Sequence, residues 1–159
     1  MKVTVISVGK IKEKYLKDAI SEYSKRLSAY CSLSHIEVTD EKAPESLSDK
    51  EEIQIKDKEG IKILGKVKDS QYVFALDLSG KQRSSEEFAS ELEKLPVYGN
   101  GDIVFIIGGS LGLSKEVIKR SDTQICFSRM TFPHQLMKVI LLEQVYRAHR
   151  IMTGAPYHK

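Results

Sequence analysis

Tryptophan is absent from the 159-residue sequence, and cysteine, proline and long hydrophobic runs are scarce. The two cysteines, Cys31 and Cys126, lie far apart without metal-ligand spacing, so we expect reduced thiols and no metal site. No apolar run approaches the roughly 18 residues that a membrane-spanning helix needs. The strand-like start, MKVTVISV, is too short for the apolar core of a signal peptide. These scarcities predict a cytoplasmic protein with no membrane partner.

A strong net charge is also missing, because 25 basic residues face 22 acidic ones for a net charge of +3. That small excess is unevenly placed. Residues 127–159 hold five basic residues against one acid, which makes +4, so residues 1–126 sum to −1. The same segment holds three of the four histidines. We therefore expect the C-terminal segment to face an anionic partner.

Strand-like and helix-like patterns alternate along the chain. Strands are predicted at residues 3–8, 33–38, 72–78, 102–107 and 123–127, and helices at 15–29, 48–67, 84–95, 114–120 and 134–152. In the second helix, Ile53, Ile61 and Leu64 form a sparse apolar face. The alternation predicts an α/β fold, a mostly parallel sheet with helices on both faces, and one domain over residues 1–159.

Three loops follow the carboxyl ends of predicted strands, where ligands bind in open α/β sheets. They are residues 76–81, 108–114 and 127–133. The glycines of the second loop fit neither the dinucleotide fingerprint nor a Walker A loop, which argues against a nicotinamide-dependent oxidoreductase. A tight strand-to-helix turn explains those glycines equally well. The third loop combines backbone donors with apolar walls, which suits a flat heteroaromatic ligand such as adenine. The alternative is a loop that is simply buried in the core.

Four motifs in this order resemble the ribosomal RNA large subunit methyltransferase H family: LDLSG from Leu76, IIGGSLGL from Ile106, FPH from Phe132 and the terminal PYH from Pro156. The resemblance covers essentially the full length. Members of this family belong to the SPOUT class, which transfers a methyl group from S-adenosylmethionine to RNA. The resemblance implies methylation of N3 of a pseudouridine in 23S ribosomal RNA, free or in the assembled ribosome, and no DNA partner. It also implies a homodimer and a C-terminal trefoil knot, a topology that periodicity does not predict.

The resemblance also assigns residues by position. The methyl donor is expected to contact the three loops through Leu76, Gly108, Phe127, Ser128, Arg129, Met130, Thr131 and Phe132. A second group consists of candidates for catalysis or RNA contact: His134, Arg147, Tyr157 and His158. Each has a plain structural alternative, namely a helix cap for His134, a solvated helix end for Arg147 and a disordered tail for the last two.

The last predicted helix is apolar nearly all round, so it must be buried on most sides. A two-fold partner subunit is the cover that we expect, and a central core helix in a monomer is the alternative. We also hypothesise that the tail of one subunit completes the site of the other. A non-catalytic RNA-binding module that has lost the methyl donor remains a competing function.

Overall fold

The computed structural model describes all 159 residues. Strands and helices alternate as the sequence predicts. The strands are β1 (Lys2–Val8), β2 (Ser32–Val38), β3 (Tyr72–Lys81), β4 (Asp102–Ile107) and β5 (Thr123–Ile125). The helices are α1 (Lys14–Leu27), α2 (Asp49–Leu64), α3 (Ser85–Lys94), α4 (Lys115–Arg120) and α5 (His134–Met152), with one 3-10 turn, Pro96–Tyr98.

The five strands form one sheet in the order β2-β1-β4-β3-β5, and every pairing is parallel. The α/β prediction is confirmed, and the sheet is entirely rather than mostly parallel. Because all strands run the same way, the loops after β1, β3, β4 and β5 leave from one edge. That edge is where a ligand site is expected.

Side chains alternate between the two faces of the sheet, and each face is covered by its own helices. Val5 and Phe105 lie in a core cluster with residues of α1, α3 and α5. Ile6 and Ile106 lie in a second cluster with residues of α2 and α4. Both faces of the central strands are therefore buried, which explains why they read as continuous apolar runs.

Two strand ends differ from the prediction. β3 continues to Lys81 instead of stopping at residue 78, and β5 stops at Ile125 instead of residue 127. Ile125 pairs with both Leu76 and Lys81, so the intervening part of β3 bulges around β5. A bulge of this kind interrupts the alternation of side chains between the two faces of the strand, so the sequence pattern does not predict it.

The predicted apolar face of α2 is right only at Leu64, which is partly buried against the core. Ile53 and Ile61 are exposed, whereas Ile63 is buried in the core with Gly60 and Glu59 beside it. Gly60 faces the Ser114 side chain so closely that a Cβ there would collide with the hydroxyl. Gly60 allows this close approach, and the buried Glu59 carboxylate accepts a hydrogen bond from the Glu41 N–H at 3.0 Å. Periodicity arguments discard both residue types. None of the helices combines the length and apolarity that crossing a bilayer requires.

Candidate functional site

A cleft of about 610 Å³ opens at the carboxyl edge of β3, β4 and β5. The three loops singled out in the sequence supply most of its wall. Of the eight residues expected to contact the methyl donor, seven line it: Leu76, Gly108, Phe127, Ser128, Met130, Thr131 and Phe132. Arg129 is exposed and does not line the cleft. The structure thus brings together residues more than 50 positions apart, as parallel strand order requires.

The glycine loop is a tight turn held against the sheet. Gly112 has φ +90°, and its N–H donates to the Gly109 carbonyl at 3.1 Å. A Cβ on Gly108 would lie 2.9 Å from the carbonyl carbon of Gly112, so only glycine fits there. The turn gives the cleft a wall of bare backbone, which a ligand can approach closely.

The third loop is anchored at one end and open at the other. The Phe127 ring packs edge-on against Phe88 with centroids 6.3 Å apart. The Cys126 thiol donates to the Ser128 carbonyl at 3.0 Å, and the Met130 N–H donates to the Ser128 hydroxyl at 3.0 Å. Met130 is 75% exposed at the mouth of the cleft. The loop is therefore held against the core at Phe127, and most of its other residues form a wall of the cleft.

His134 is the first residue of α5 and lines the same cleft. It does not cap its helix, because Pro133 occupies the capping position and no side chain completes the cap. Its Nε2 lies 3.7 Å from the point where a Cβ of Gly9 would be. The imidazole therefore sits between the end of β1 and the cleft, with no structural hydrogen bond to hold it there.

The tail residues form an ordered network on α5. Arg147 donates to the Glu143 carboxylate at 2.7 Å through Nη2 and lies over the Tyr157 ring at 4.7 Å. The Tyr157 hydroxyl donates to the same carboxylate at 3.0 Å. His158 bridges Arg147 and Glu86, with Nδ1 at 3.2 Å from Nη1 and Nε2 at 2.6 Å from Oε1. Because the guanidinium donates, Nδ1 accepts and Nε2 carries the proton.

This network affects the protonation of Tyr157 and Glu86 as well as the position of the tail. Burial, with the neighbouring Glu143 carboxylate, raises the pKa of Tyr157 to about 12. The hydrogen bond from His158 lowers the pKa of Glu86. Tyr157 is therefore a hydrogen-bond donor at neutral pH rather than a base. None of Arg147, Tyr157 and His158 lines the cleft of its own chain.

Much of the positive charge of residues 127–159 is buried or bonded to other side chains of the protein. Lys138 is 2% exposed, with Nζ 3.5 Å from the Ser7 hydroxyl and 4.0 Å from the Glu37 carboxylate. Burial lowers the pKa of Lys138. Arg150 donates to the Tyr30 hydroxyl at 2.9 Å. The exposed cationic surface of this segment is therefore smaller than its charge of +4 indicates.

Sequence reasoning missed the two acids that hold the tail. Glu143 and Arg147 stand four residues apart on α5, which is the spacing of a helical ion pair and a usable signal. Glu86 carried no signal, because only the fold brings α3 to the C-terminus. No group of three or more His, Cys, Asp or Glu side chains is arranged to hold a metal ion.

Residues 1–158 match the family model described as Predicted SPOUT methyltransferase. Ribosomal RNA large subunit methyltransferase H 1 of Clostridium perfringens strain SM101 is 64% identical over 159 residues, 100% of both chains. The chain belongs to this methyltransferase H family. A second member, from Exiguobacterium sibiricum, is 60% identical over 159 residues, again 100% of both chains.

A solved structure shares the fold at low sequence identity. It is described as a putative methylase family protein from Neisseria gonorrhoeae, with a TM-score of 0.53 and 11% identity. The match covers 99% of this chain and 86% of that one. At this identity the likeness concerns the fold alone, and it agrees with the sheet described above.

Proposed function

We propose that this member of the methyltransferase H family methylates N3 of a pseudouridine in 23S ribosomal RNA, with S-adenosylmethionine as methyl donor. The observation that carries the proposal is the full-length identity of 64% to a curated large-subunit RNA methyltransferase, joined to an open cleft built from the predicted loops. The protein then acts as one domain over residues 1–159, in the cytoplasm where its RNA substrate is found.

The cleft suits the methyl donor. Leu76, Phe127 and Phe132 give apolar surface for an adenine ring, and Gly108 lets the backbone approach it. When bound, S-adenosylmethionine supplies a methyl group from a positively charged sulfonium. The part of the protein in such an in-line transfer is mainly to hold donor and acceptor in position.

The acceptor N3 carries a proton that must leave as the new N–C bond forms. Three titratable side chains line the cleft, and two of them are engaged, because Asp77 accepts from the Ser79 N–H and Cys126 donates to the Ser128 carbonyl. His134 has no structural hydrogen bond, so we assign it as the group that accepts the proton. Replacement by Gln keeps a polar side chain but removes the base. We expect His134→Gln to lower kcat at least tenfold with unchanged donor affinity, and an unchanged kcat would remove His134 from this role.

The tail is proposed to act across a homodimer. Arg147, Tyr157 and His158 lie outside the cleft of their own chain, which supports a role at the cleft of a partner subunit. Leu136 of α5 is 36% exposed, and Val139 and Ile140 are half-buried, which leaves apolar surface for a two-fold contact. Heterodimers of a tail-truncated subunit and a Gly108→Val subunit should recover activity if the tail acts in trans.

The C-terminal part is proposed to be threaded as a trefoil knot. Residues 77–80 pass around Ile125, and a Cβ on Gly80 would lie 2.7 Å from the Ile125 nitrogen. That close passage supports threading of the chain after β5. Stretching a single molecule between its termini tests it. A knotted chain should extend to less than the roughly 3.5 Å per residue of a fully extended chain.

Two measurements test the function. In cells that lack the protein, mass mapping of ribosomal RNA should show the loss of one methyl group on a pseudouridine, and no loss would contradict the proposal.

Titration calorimetry should show S-adenosylmethionine binding to the wild type and not to Gly108→Ala, whose new methyl collides with the turn. Gly112→Ala is the matched control, because a Cβ there meets open space and only the positive φ is strained. A wild type that binds no donor would favour the non-catalytic module.

A further inference from the structure

Four lysines stand close together in residues 9–17, GKIKEKYLK, called here the lysine segment. With one acid among them, the segment carries a charge of +3. All four lysines are exposed. Lys14 pairs with Asp18 at 2.7 Å, whereas Lys10, Lys12 and Lys17 take part in no ion pair within 4.0 Å. Their charge is therefore presented to solvent.

The lysine segment lies beside the cleft. It leaves the carboxyl end of β1 at Gly9, whose backbone lies against the His134 imidazole. The Gln135 side chain donates to the Lys10 carbonyl at 3.3 Å, and Ile11 is buried. These contacts fix the first residues of the segment against the start of α5, so the segment begins beside the opening that His134 lines.

The sequence places these lysines against the local preference of a helix. α2 and α3 begin with capping boxes and acids in their first turns, whereas α1 has Glu13 at the capping position without a side-chain hydrogen bond and no acid in its first turn. It begins instead with Lys14, and Lys17 follows within the first turn. Positive charge at a helix N-terminus is unfavourable for the helix alone. A local choice that weakens folding indicates a surface kept for another purpose.

The segment also offers an exposed aromatic ring. Tyr15 is 69% exposed between Lys14 and Lys17 and takes part in no aromatic pair. An exposed ring among lysines is the combination that binds unpaired nucleotides, in which cations hold phosphates and the ring stacks on a base.

We infer that the lysine segment is a contact surface for the phosphate backbone of the ribosomal RNA, next to the target nucleotide. The inference rests on the proposed function, which brings that RNA to the cleft. RNA phosphates carry the charge that three unpaired lysines complement, and each phosphate contact releases condensed counterions. The surface therefore contributes affinity that falls as salt rises, and it does not take part in methyl transfer.

The test is a triple variant, Lys10→Gln, Lys12→Gln and Lys17→Gln, with ribosomes from cells that lack the protein as substrate. At near-physiological salt we expect the KM for ribosomes to rise roughly tenfold with kcat within about twofold. The slope of log affinity against log salt should become less steep by about 2, roughly 0.7 for each lost phosphate contact. Binding of S-adenosylmethionine should not change.

The matched control carries the same charge change at the opposite edge of the sheet, as Lys66→Gln, Lys68→Gln and Lys94→Gln, all exposed positions. It should keep the wild-type slope. The inference is overturned if the triple variant and the control share one slope. It is also overturned if the triple variant shifts the oligomeric state in analytical ultracentrifugation, which would make the segment a subunit contact.

Cosedimentation with ribosomes measures the same slope without methyl transfer. A failed methylation assay in the wild type therefore counts against the proposed function, while the slope still decides about the lysine segment. Tyr15→Ala should weaken binding about fivefold or more with an unchanged salt slope, and Tyr15→Phe should bind like the wild type. Unchanged affinity in Tyr15→Ala would show that the ring does not contribute to RNA binding.

Discussion

Two positively charged regions differ in where their charge is directed. Residues 127–159 carry +4 along the sequence, but Lys138 is buried, Arg147 is paired with Glu143 and Arg150 is bonded to Tyr30. The lysine segment carries +3, and three of its four lysines are exposed and unpaired. Charge counted along a sequence measures what a segment contains, whereas recognition depends on what the surface presents. The first region builds the site, and the second borders it.

We expect the largest effect on stability and activity in the C-terminal region, where Arg147 is paired with Glu143. Glu143→Gln keeps the shape of the side chain but removes the anion that accepts hydrogen bonds from Arg147 and Tyr157. Glu143 is 19% and Arg147 25% exposed, so we expect unfolding free energy to fall by about 1–2 kcal/mol. Activity should fall about 100-fold, because the tail loses its position. Denaturant unfolding and methyl-transfer rates measure the two effects.

A variant of the lysine segment serves as the control for that experiment. Lys12 makes no ion pair, so Lys12→Gln should leave unfolding free energy within about 0.5 kcal/mol of the wild type. If Glu143→Gln and Lys12→Gln lost equal stability, the distinction between the paired charges of the C-terminal region and the solvent-exposed charges of the lysine segment would be contradicted.

The sequence predicted the parts of the molecule that follow from local rules. The positions of the strands, apart from the ends of β3 and β5, and the start of α5 at His134 depend on neighbouring residues, and the structure confirms them. The three loops around Gly108 were also predicted to meet, because parallel strands end at one edge. The buried Lys138 and the bond from His158 to Glu86 depend on elements far apart in the chain, so no local pattern predicts them.

A smaller effect is expected at Lys138. Its ammonium is almost fully buried, and the nearest carboxylate, of Glu37, is 38% exposed at 4.0 Å. Lys138→Met keeps the length and apolar stem, so we expect a gain of about 1 kcal/mol in unfolding free energy near neutral pH. Because burial lowers the folded-state pKa below the ordinary value of 10.5, the wild type gains stability as pH rises from the lowered pKa toward 10.5. The advantage of the variant should therefore shrink at alkaline pH in denaturant titrations. A variant that is less stable at every pH would show that the buried charge is needed.

His149 provides a similar comparison on the acid side. The ring is buried, stacks on Tyr30 at a centroid distance of 5.3 Å, and its Nε2 has no hydrogen-bond partner. Burial lowers the pKa of His149 below the ordinary value of 6.5. The stability linked to this group is thus complete above pH 6.5 and is lost as pH falls from 6.5 toward the lowered pKa. His149→Phe keeps the stacking without the titration, so its stability should fall less steeply between pH 7 and pH 5. Parallel curves for the two proteins would rule His149 out as a source of acid sensitivity.

The smallest effect tests the lysine segment one charge at a time. Lys17 lies on the exposed side of α1 and has no ionic partner, so Lys17→Gln should leave folding and kcat unchanged. Loss of one phosphate contact should make the salt slope of ribosome binding less steep by about 0.7. Arg129→Gln gives the comparison from the other region, because Arg129 is also exposed and stands between two residues that line the cleft, Ser128 and Met130. If each single variant lowers the slope by the same amount, RNA crosses both sides of the opening. If only Arg129→Gln changes the slope, the RNA lies along the C-terminal region and the lysine segment carries its charge for another reason.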